Sequence, residues 1–318
     1  MRSLRIRIPR HPCAWLSAPF PVLSCPHRLR CLPAFRRRRQ SRLPCPPRHP
    51  CPSVILAIDV GNSQVTLGLG DASGWRASWR LATDARRTAD EYGVQLAALL
   101  ALDGFPMQAV TDAVVSSVVP SVTPVITATC MRLFGQPPLV IEPGTRTGMP
   151  VRYTPPGTLG TDRLIDAVAA VAQFGAPVVV VDFGTATTFN VVDADGVFIG
   201  GAIAPGVGVS AEALARAGAR LSRIDLGPPA DLPPLIGRNT EQAMRSGVLY
   251  GYAGIVEGVL GRIDAELGPT PTGTRPPVVA TGGMAAHVAP LVGRFTAIVP
   301  DLILDGLRLV LARQRGVP

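Results

Sequence analysis

Two short stretches carry the residue types that handle phosphate and metal. Val54 to Gly70, V-I-L-A-I-D-V-G-N-S-Q-V-T-L-G-L-G, closes an apolar run with Asp59, turns through Gly61, Asn62 and Ser63, and resumes as an alternating run. Val178 to Val192, V-V-V-V-D-F-G-T-A-T-T-F-N-V-V, repeats the grammar with Asp182, Gly184, Thr185, Thr187 and Thr188. Each reads as a β-hairpin with a polar tip. Glycine there lets the backbone approach a ligand, and the turn's N–H groups, amides and hydroxyls donate to anionic oxygens. A carboxylate at the strand end is placed to hold a metal ion, or its waters, against those oxygens. A lone D-x-G turn is most often only a turn. Two copies about 120 residues apart point to related half-domains facing each other, with a nucleoside triphosphate in the cleft between them.

A third candidate pair stands between the hairpins. The long Gly- and Pro-rich connection from Pro143 to Gly160 has the length of a functional loop and runs into Thr161, Asp162 and Arg163. Leu164, Ile165, Val168 and Val171 have the spacing of a helix through Gln173, which puts Asp162 and Arg163 in its first turn. On spacing alone, Asp162 reads equally as an acid matched to the helix dipole and Arg163 as an exposed surface cation.

The elements that must position these residues form a mixed α/β chain. Gly74 to Thr83 reads as a third strand, with Arg76 and Arg80 alternating as on a solvated edge. Thr88 caps a helix through about Leu102, and Asp112 to Val119 is a buried strand. A helix opens at Pro120 and Ser121 and runs through Phe134, and Leu139 to Glu142 closes the first half. The second half has a strand from Val197 to Ala202, a glycine-rich turn from Ala204 to Gly208 and a helix from Val209 to Ala217. Asn239 and Thr240 cap a long helix through Leu267, whose Gly247, Gly251, Gly254 and Gly258 thin one face for packing within the chain or against a second copy. Val278 to Thr281 is a strand running into Gly282 and Gly283, a place suited to a nucleotide's adenosine or phosphate part. The last helix spans Asp301 to Arg313.

Composition narrows the chemistry. The net charge of +9 is a property of one end, because residues 1–52 hold twelve Arg and no acid. The remaining 266 residues carry 19 basic and 22 acidic side chains, which gives no reason to expect nucleic acid. The leader also holds Cys13, Cys25, Cys31, Cys45 and Cys51 without paired C-x-x-C spacing. It reads as a disordered extension, translated from a start codon placed upstream, in preference to a transit peptide or nucleic-acid arm. Beyond it Cys130 is the only cysteine, on an apolar helix face, which fits a reducing, cytoplasmic compartment. No apolar run reaches membrane-spanning length. The chain has no lysine, which excludes a Walker-type phosphate loop, and His287 is the only histidine after residue 52, which excludes a Ser-His-Asp triad or multi-histidine metal site there.

The doubled hairpin-bearing unit resembles the actin-like (ribonuclease H-like) ATPase superfamily, and within it the chain is similar to the type III pantothenate kinases. The matching motifs are D-V-G-N-S at Asp59 to Ser63, Y-x-x-P-x-x-L-G-x-D-R from Tyr153 to Arg163, and D-x-G-T-A-x-T at Asp182 to Thr188. G-x-N-T with the following S-G from Gly237 to Gly247, and T-G-G at Thr281 to Gly283, complete the set. The resemblance implies a duplicated fold with half-domains at 53–176 and 177–318 around a nucleotide cleft. It implies ATP-dependent phosphorylation of pantothenate, the first step of coenzyme A synthesis, by a homodimer. Asp59, Val60, Gly61, Asn62, Ser63, Gln64, Val65 and Thr66 would then hold the ATP phosphates, with Mg²⁺ at Asp59 and Thr185 reaching in from the opposite turn. Asp182 would bind K⁺ or NH₄⁺. Tyr153, Gly160, Thr161, Asp162 and Arg163 would bind pantothenate, Thr240 from the second half or a neighbouring subunit would close over it, and Asp162 would be the general base. Asn190 stands where members commonly carry Asp, and a neutral amide there is expected to weaken cation or Mg²⁺ affinity. The rivals are a non-catalytic transcriptional accessory factor on the same fold and another small-molecule kinase of the superfamily.

Overall fold

The computed structural model describes residues 54–218, 223–269 and 273–316. The leader over 1–52, its five cysteines and the expected half-domain start at Ser53 lie outside them.

Strands β1 (Val54–Val60), β2 (Gln64–Asp71) and β3 (Gly74–Ala82) form an antiparallel meander. Helix α1 (Ala89–Leu102), strand β4 (Val110–Ser117), helix α2 (Thr123–Phe134) and strand β5 (Leu139–Ile141) follow. β4 runs parallel to β1 and β5 parallel to β4, so the sheet order is β3-β2-β1-β4-β5. After α3 (Thr161–Phe174) the pattern recurs as β6 (Val178–Phe183), β7 (Ala186–Val192), β8 (Phe198–Pro205), α4 (Val207–Ala217), α5 (Thr240–Leu267), β9 (Val278–Thr281), α6 (Ala285–Val288), β10 (Ala297–Ile298) and α7 (Leu302–Gln314). The second sheet, β8-β7-β6-β9-β10, repeats the first strand for strand, including which pairs are antiparallel and which parallel. This is the duplicated actin-like, ribonuclease H-like fold.

Both central strands are apolar up to Asp59 and Asp182 because both of their faces are covered. Leu56 and Ile58 face Tyr92, Leu96 and Ile126 of α1 and α2, whereas Ala57 faces Ile165 of α3 and Leu304 of α7. In the second sheet Val179 and Val181 pack with Tyr252 and Val256 of α5, and Val178 and Val180 with Ala167 and Ala170 of α3. Helix α3 therefore lies between the two sheets, and α7 returns from the end of the chain to cover β1 and β4. The α3 and α7 backbones approach closely at Gly306, where any Cβ would collide with the Ile165 carbonyl. α7 is also tied to edge strand β3, where Trp75 donates to Asp305 at 2.8 Å and Arg80 pairs with Asp301 at 3.1 Å.

Pairing partners moved several ends from the sequence expectation. β4 begins at Val110, opposite Val54, and the chain then turns through Val119 to Val122, so that α2 starts at Thr123. β8 continues through Ala204 and Pro205, which pair with Thr187 and Ala186, so the expected glycine-rich turn is a strand end and α4 starts at Val207. The two-residue β10 was not expected.

Candidate active site

The two aspartate hairpins meet tip to tip. Gly61, Asn62 and Ser63 connect β1 to β2, with the Gly61 N–H donating to the Gln64 carbonyl at 2.9 Å. Thr83, just past β3, braces that turn: its hydroxyl donates to the Gly61 carbonyl at 2.7 Å and its N–H to the Ser63 carbonyl at 3.1 Å. Gly184 and Thr185 connect β6 to β7. The hydroxyls of Ser63 and Thr185, 122 positions apart, hydrogen-bond at 2.8 Å. Asn62, Ser63, Gln64 and Thr185 are exposed there, and Gly61 and Thr66 half-buried. Val60 and Val65 are fully buried in the core, so only their peptide groups could serve a phosphate.

The first turn of α3 spans the gap between the sheets. Thr161 hydrogen-bonds Ser116 of β4 at 3.1 Å, and β4 pairs Ser116 with Asp59. Two residues on, the Arg163 Nε donates to Asn190 Oδ1 of β7 at 2.6 Å. Asp162 lies between these anchors with its Oδ1 accepting the Arg163 N–H at 2.8 Å. Gly160 caps the helix without a side-chain bond, and a Cβ there would occupy the space of the Asp162 carboxylate.

Asp59, Asp162, Asp166 and Asp182 act on one another electrostatically. Burial, then the charges of Asp162 and Asp182, push Asp59 up to about 8 against a hydrogen bond from Ser116. Burial and Asp162 push Asp182 up to about 7. Burial also raises Asp162, opposed by the N–H and charge of Arg163, and raises Asp166 well above the usual carboxylate range, reinforced by the other three acids. Carboxylates in this state are short of positive charge, and a bound cation would restore their ionised forms. Among the described residues no three His, Cys, Asp or Glu side chains form a cage for a metal ion. Asp182 is cradled by glycine: Gly282, at φ +89°, leaves room for its Oδ1, and a Cβ on Gly184 would sit 3.4 Å from its Oδ2.

The uncompensated carboxylates give a test by pH. Asp59 and Asp182 hold protons more tightly in the folded chain than at the ordinary value of 3.8, so their stabilisation is whole below that value and is lost as pH rises through about 7 and 8. In chelator and without nucleotide, the Tm should fall by roughly 5 °C between about pH 6 and 8.5, and Mg²⁺ with nucleotide should flatten the fall. A Tm that is level or rising over that interval in chelator would show the cluster to be compensated already.

Arg163 is not the exposed cation that spacing allowed. It is 6% exposed, with the Tyr153 and Phe198 rings each 5.7 Å from its guanidinium carbon. The long loop reaches it because the Arg152 N–H donates to the Phe198 carbonyl at 2.8 Å, which sets Tyr153 beside β8. At Gly201, φ +152°, a Cβ would collide with the Phe189 carbonyl of the neighbouring strand and sit 3.4 Å from the Arg163 Nη2. Asn190 is correspondingly not turned to a cation: it is fully buried, with its amide shared between Arg163 and the Thr188 hydroxyl at 3.2 Å. The expected effect on metal affinity therefore has no geometric basis. Thr240 is exposed and lines a separate cavity of about 540 Å³ with Leu214, Arg238 and Met244. Among the described residues it shares no hydrogen bond with Tyr153, Asp162 or Arg163.

Asp166 went unremarked in the sequence, although it lies four residues after Asp162 and so on the same helix face. Ser116 and Phe198 had no sequence signal, being brought in by strand pairing and by the loop. Cys130 is buried core, as its helix face implied.

The family model for type III pantothenate kinase matches residues 55–262. A type III pantothenate kinase of Anaeromyxobacter sp. (strain K) is 43% identical over 262 residues, covering 82% of this chain and 100% of that one. Those of Moorella thermoacetica and Pelobacter propionicus are 43% and 44% identical, each again over 82% of this chain and 100% of the relative. A more distant likeness is to a ROK family glucokinase from Streptomyces griseus, 13% identical with a TM-score of 0.44, over 82% of this chain and 100% of that one. The family match runs through both aspartate hairpins and the helix that joins them, and the chain belongs to the type III pantothenate kinase family.

Proposed function

We propose that Asp162 is the general base with which this chain, as a type III pantothenate kinase, transfers the γ-phosphoryl group of ATP to pantothenate. The carrying observation is the α3 first turn, anchored to β4 on one side and β7 on the other, which holds Asp162 next to the buried Arg163. The primary hydroxyl of pantothenate gives its proton to Asp162 as its oxygen attacks the γ-phosphorus, and the β–γ bridging oxygen departs with ADP. The β1–β2 turn from Asp59 to Thr66 and Thr185 of the opposite turn present peptide N–H groups and hydroxyls to the phosphates. Asp59 would hold Mg²⁺, which when bound would supply the charge neutralisation that a lysine-free site otherwise lacks. Tyr153, Gly160, Thr161 and Arg163 hold pantothenate, with the planar guanidinium fork taking its carboxylate.

The finer assignments have their own support. The glycine cradle around Asp182 and its raised proton affinity suit K⁺ or NH₄⁺. Gly247, Gly251 and Gly254 of α5 are exposed with open space around them, beside the exposed Ile255, so that face is free for the α5 of a second copy. In such a homodimer Thr240 would close over the partner's pantothenate. The repeated strand order of the two sheets supports half-domains at 53–176 and 177–318, with α7 packing on the first sheet. Among the described residues no helix is long and apolar enough to cross a membrane.

Purified full-length protein with Mg-ATP should convert pantothenate to a phosphorylated product by mass spectrometry, at least tenfold faster in K⁺ or NH₄⁺ than in Na⁺, and leave N-acetylhexosamine and acetate unchanged. Turnover of another acceptor with none of pantothenate would overturn the substrate. Turnover of none would favour the accessory factor.

A further inference from the structure

Ala57 and Val114 pair across β1 and β4 and face Ile165 of α3. Two residues further along, the same face presents Asp59 and Ser116 side by side, because side chains in strands alternate. Ser116 is 0% exposed, a place where an apolar side chain would cost less than a hydroxyl. The hydroxyl has two partners. A hydrogen bond from it favours the ionised form of Asp59, and Thr161 Oγ1 lies 3.1 Å away. A serine hydroxyl carries one proton, so a Ser116 that donates to Asp59 accepts from Thr161, and both hydroxyls direct their protons toward the carboxylate. Thr161 is the first residue of α3 and immediately precedes Asp162. Gly160 caps that helix without a side-chain bond, so side chains fasten the first turn to the sheets at two points, Thr161 on Ser116 and Arg163 on Asn190. Thr161 occupies the open position of L-G-x-D-R, which makes the hydroxyl bridge a feature of this chain and not of the motif.

We propose that Ser116 is a positioning residue that couples the nucleotide and acceptor sites, its hydroxyl tying Asp59 to Thr161 so that ligand at either site orders the turn that serves the other. This rests on the reading of Asp59 as the group that would hold Mg²⁺ and of Asp162 as the base. With its carboxylate fixed by a bound cation and phosphates, Asp59 restrains Ser116 and, through it, the α3 first turn. The acceptor then meets a turn that is already ordered. Such coupling is reciprocal, so pantothenate must tighten nucleotide by the factor with which nucleotide tightens pantothenate.

The test is calorimetric titration of a non-hydrolysable ATP analogue with Mg²⁺, with and without saturating pantothenate, into full-length wild type, Ser116→Ala, Thr161→Val and Thr161→Ser. In the wild type pantothenate should lower the Kd of the analogue about tenfold. Ser116→Ala and Thr161→Val should each reduce that factor to about twofold or less, and the double variant should reduce it no further, since both cut one bridge. Thr161→Ser keeps the hydroxyl and should keep the wild-type factor. Should Ser116→Ala fail to fold, the contrast between valine and serine at position 161 still decides the matter. The proposal fails if the folded variants retain the wild-type factor, if they lose affinity for both ligands with the factor unchanged, as loosened packing would produce, or if Thr161→Ser loses it as fully as Thr161→Val. It fails equally if the wild type shows no coupling. A wild type that binds only one of the two ligands overturns the reading of the site itself, which is a separate failure.

Discussion

Asp162→Asn is expected to lower kcat by about three orders of magnitude while leaving Mg-ATP affinity within about threefold of wild type. The size follows from the position of the group. Asp162 is half-buried in the first turn of α3, its Oδ1 held by the Arg163 N–H at 2.8 Å, so it is presented at a fixed place and not on a mobile side chain. Asparagine keeps that hydrogen bond and the shape but cannot accept the acceptor's proton. The pH profile gives a second readout. Burial raises Asp162 above the usual carboxylate value, so the wild-type rate should fall as pH drops through that raised value and the base becomes protonated. In Asp162→Asn that acid limb should be gone. A kcat within tenfold of wild type, or an unchanged acid limb, would remove Asp162 from the role.

Asp166→Asn is expected to make the nucleotide-free protein more stable and the enzyme nearly inactive. Asp166 is 4% exposed, its Oδ1 has no hydrogen-bond partner, and Asp182, Asp162 and Asp59 all oppose its ionisation. A structural acid at such depth would be paired or hydrogen-bonded. An acid held in this state would contribute negative charge to a site that bound cations would complete, and the folded chain would bear the cost without them. Removing the charge should raise the Tm in chelator at about pH 8 by ~3–6 °C. Activity with Mg-ATP and K⁺ should fall at least 100-fold, because the remaining acids hold the cations less firmly. A lower Tm in chelator would identify Asp166 as an ordinary satisfied core residue. A higher Tm with full activity would place it outside the reaction.

The two hairpins and most helices were legible because their signals are local. The apolar runs ending in Asp59 and Asp182, the Thr88 cap and the Asn239 cap act within a few residues of themselves. Strand and helix ends that depend on a distant partner were less so. β8 continues through Ala204 and Pro205 because β7 lies alongside, and nothing in A-P-G-V-G announces that neighbour. Asp166 was overlooked for a related reason: one acid in an apolar helix looks like an exposed polar position until a second sheet is packed against that face.

From its residues alone, this chain declares two phosphate-type hairpins, a helix opening with Asp162 and Arg163, and a lysine-free body. Those features depend on hydrogen bonds and side-chain alternation between near neighbours in the chain. Tertiary structure decided what they amount to together. Only when α3 is laid between the sheets does Arg163 become a buried cation aimed by Asn190, and only then do four separated aspartates share one electrostatic site. Burial and mutual repulsion arise between groups that the chain keeps far apart and the fold brings together, so they have no signature in the order of residues.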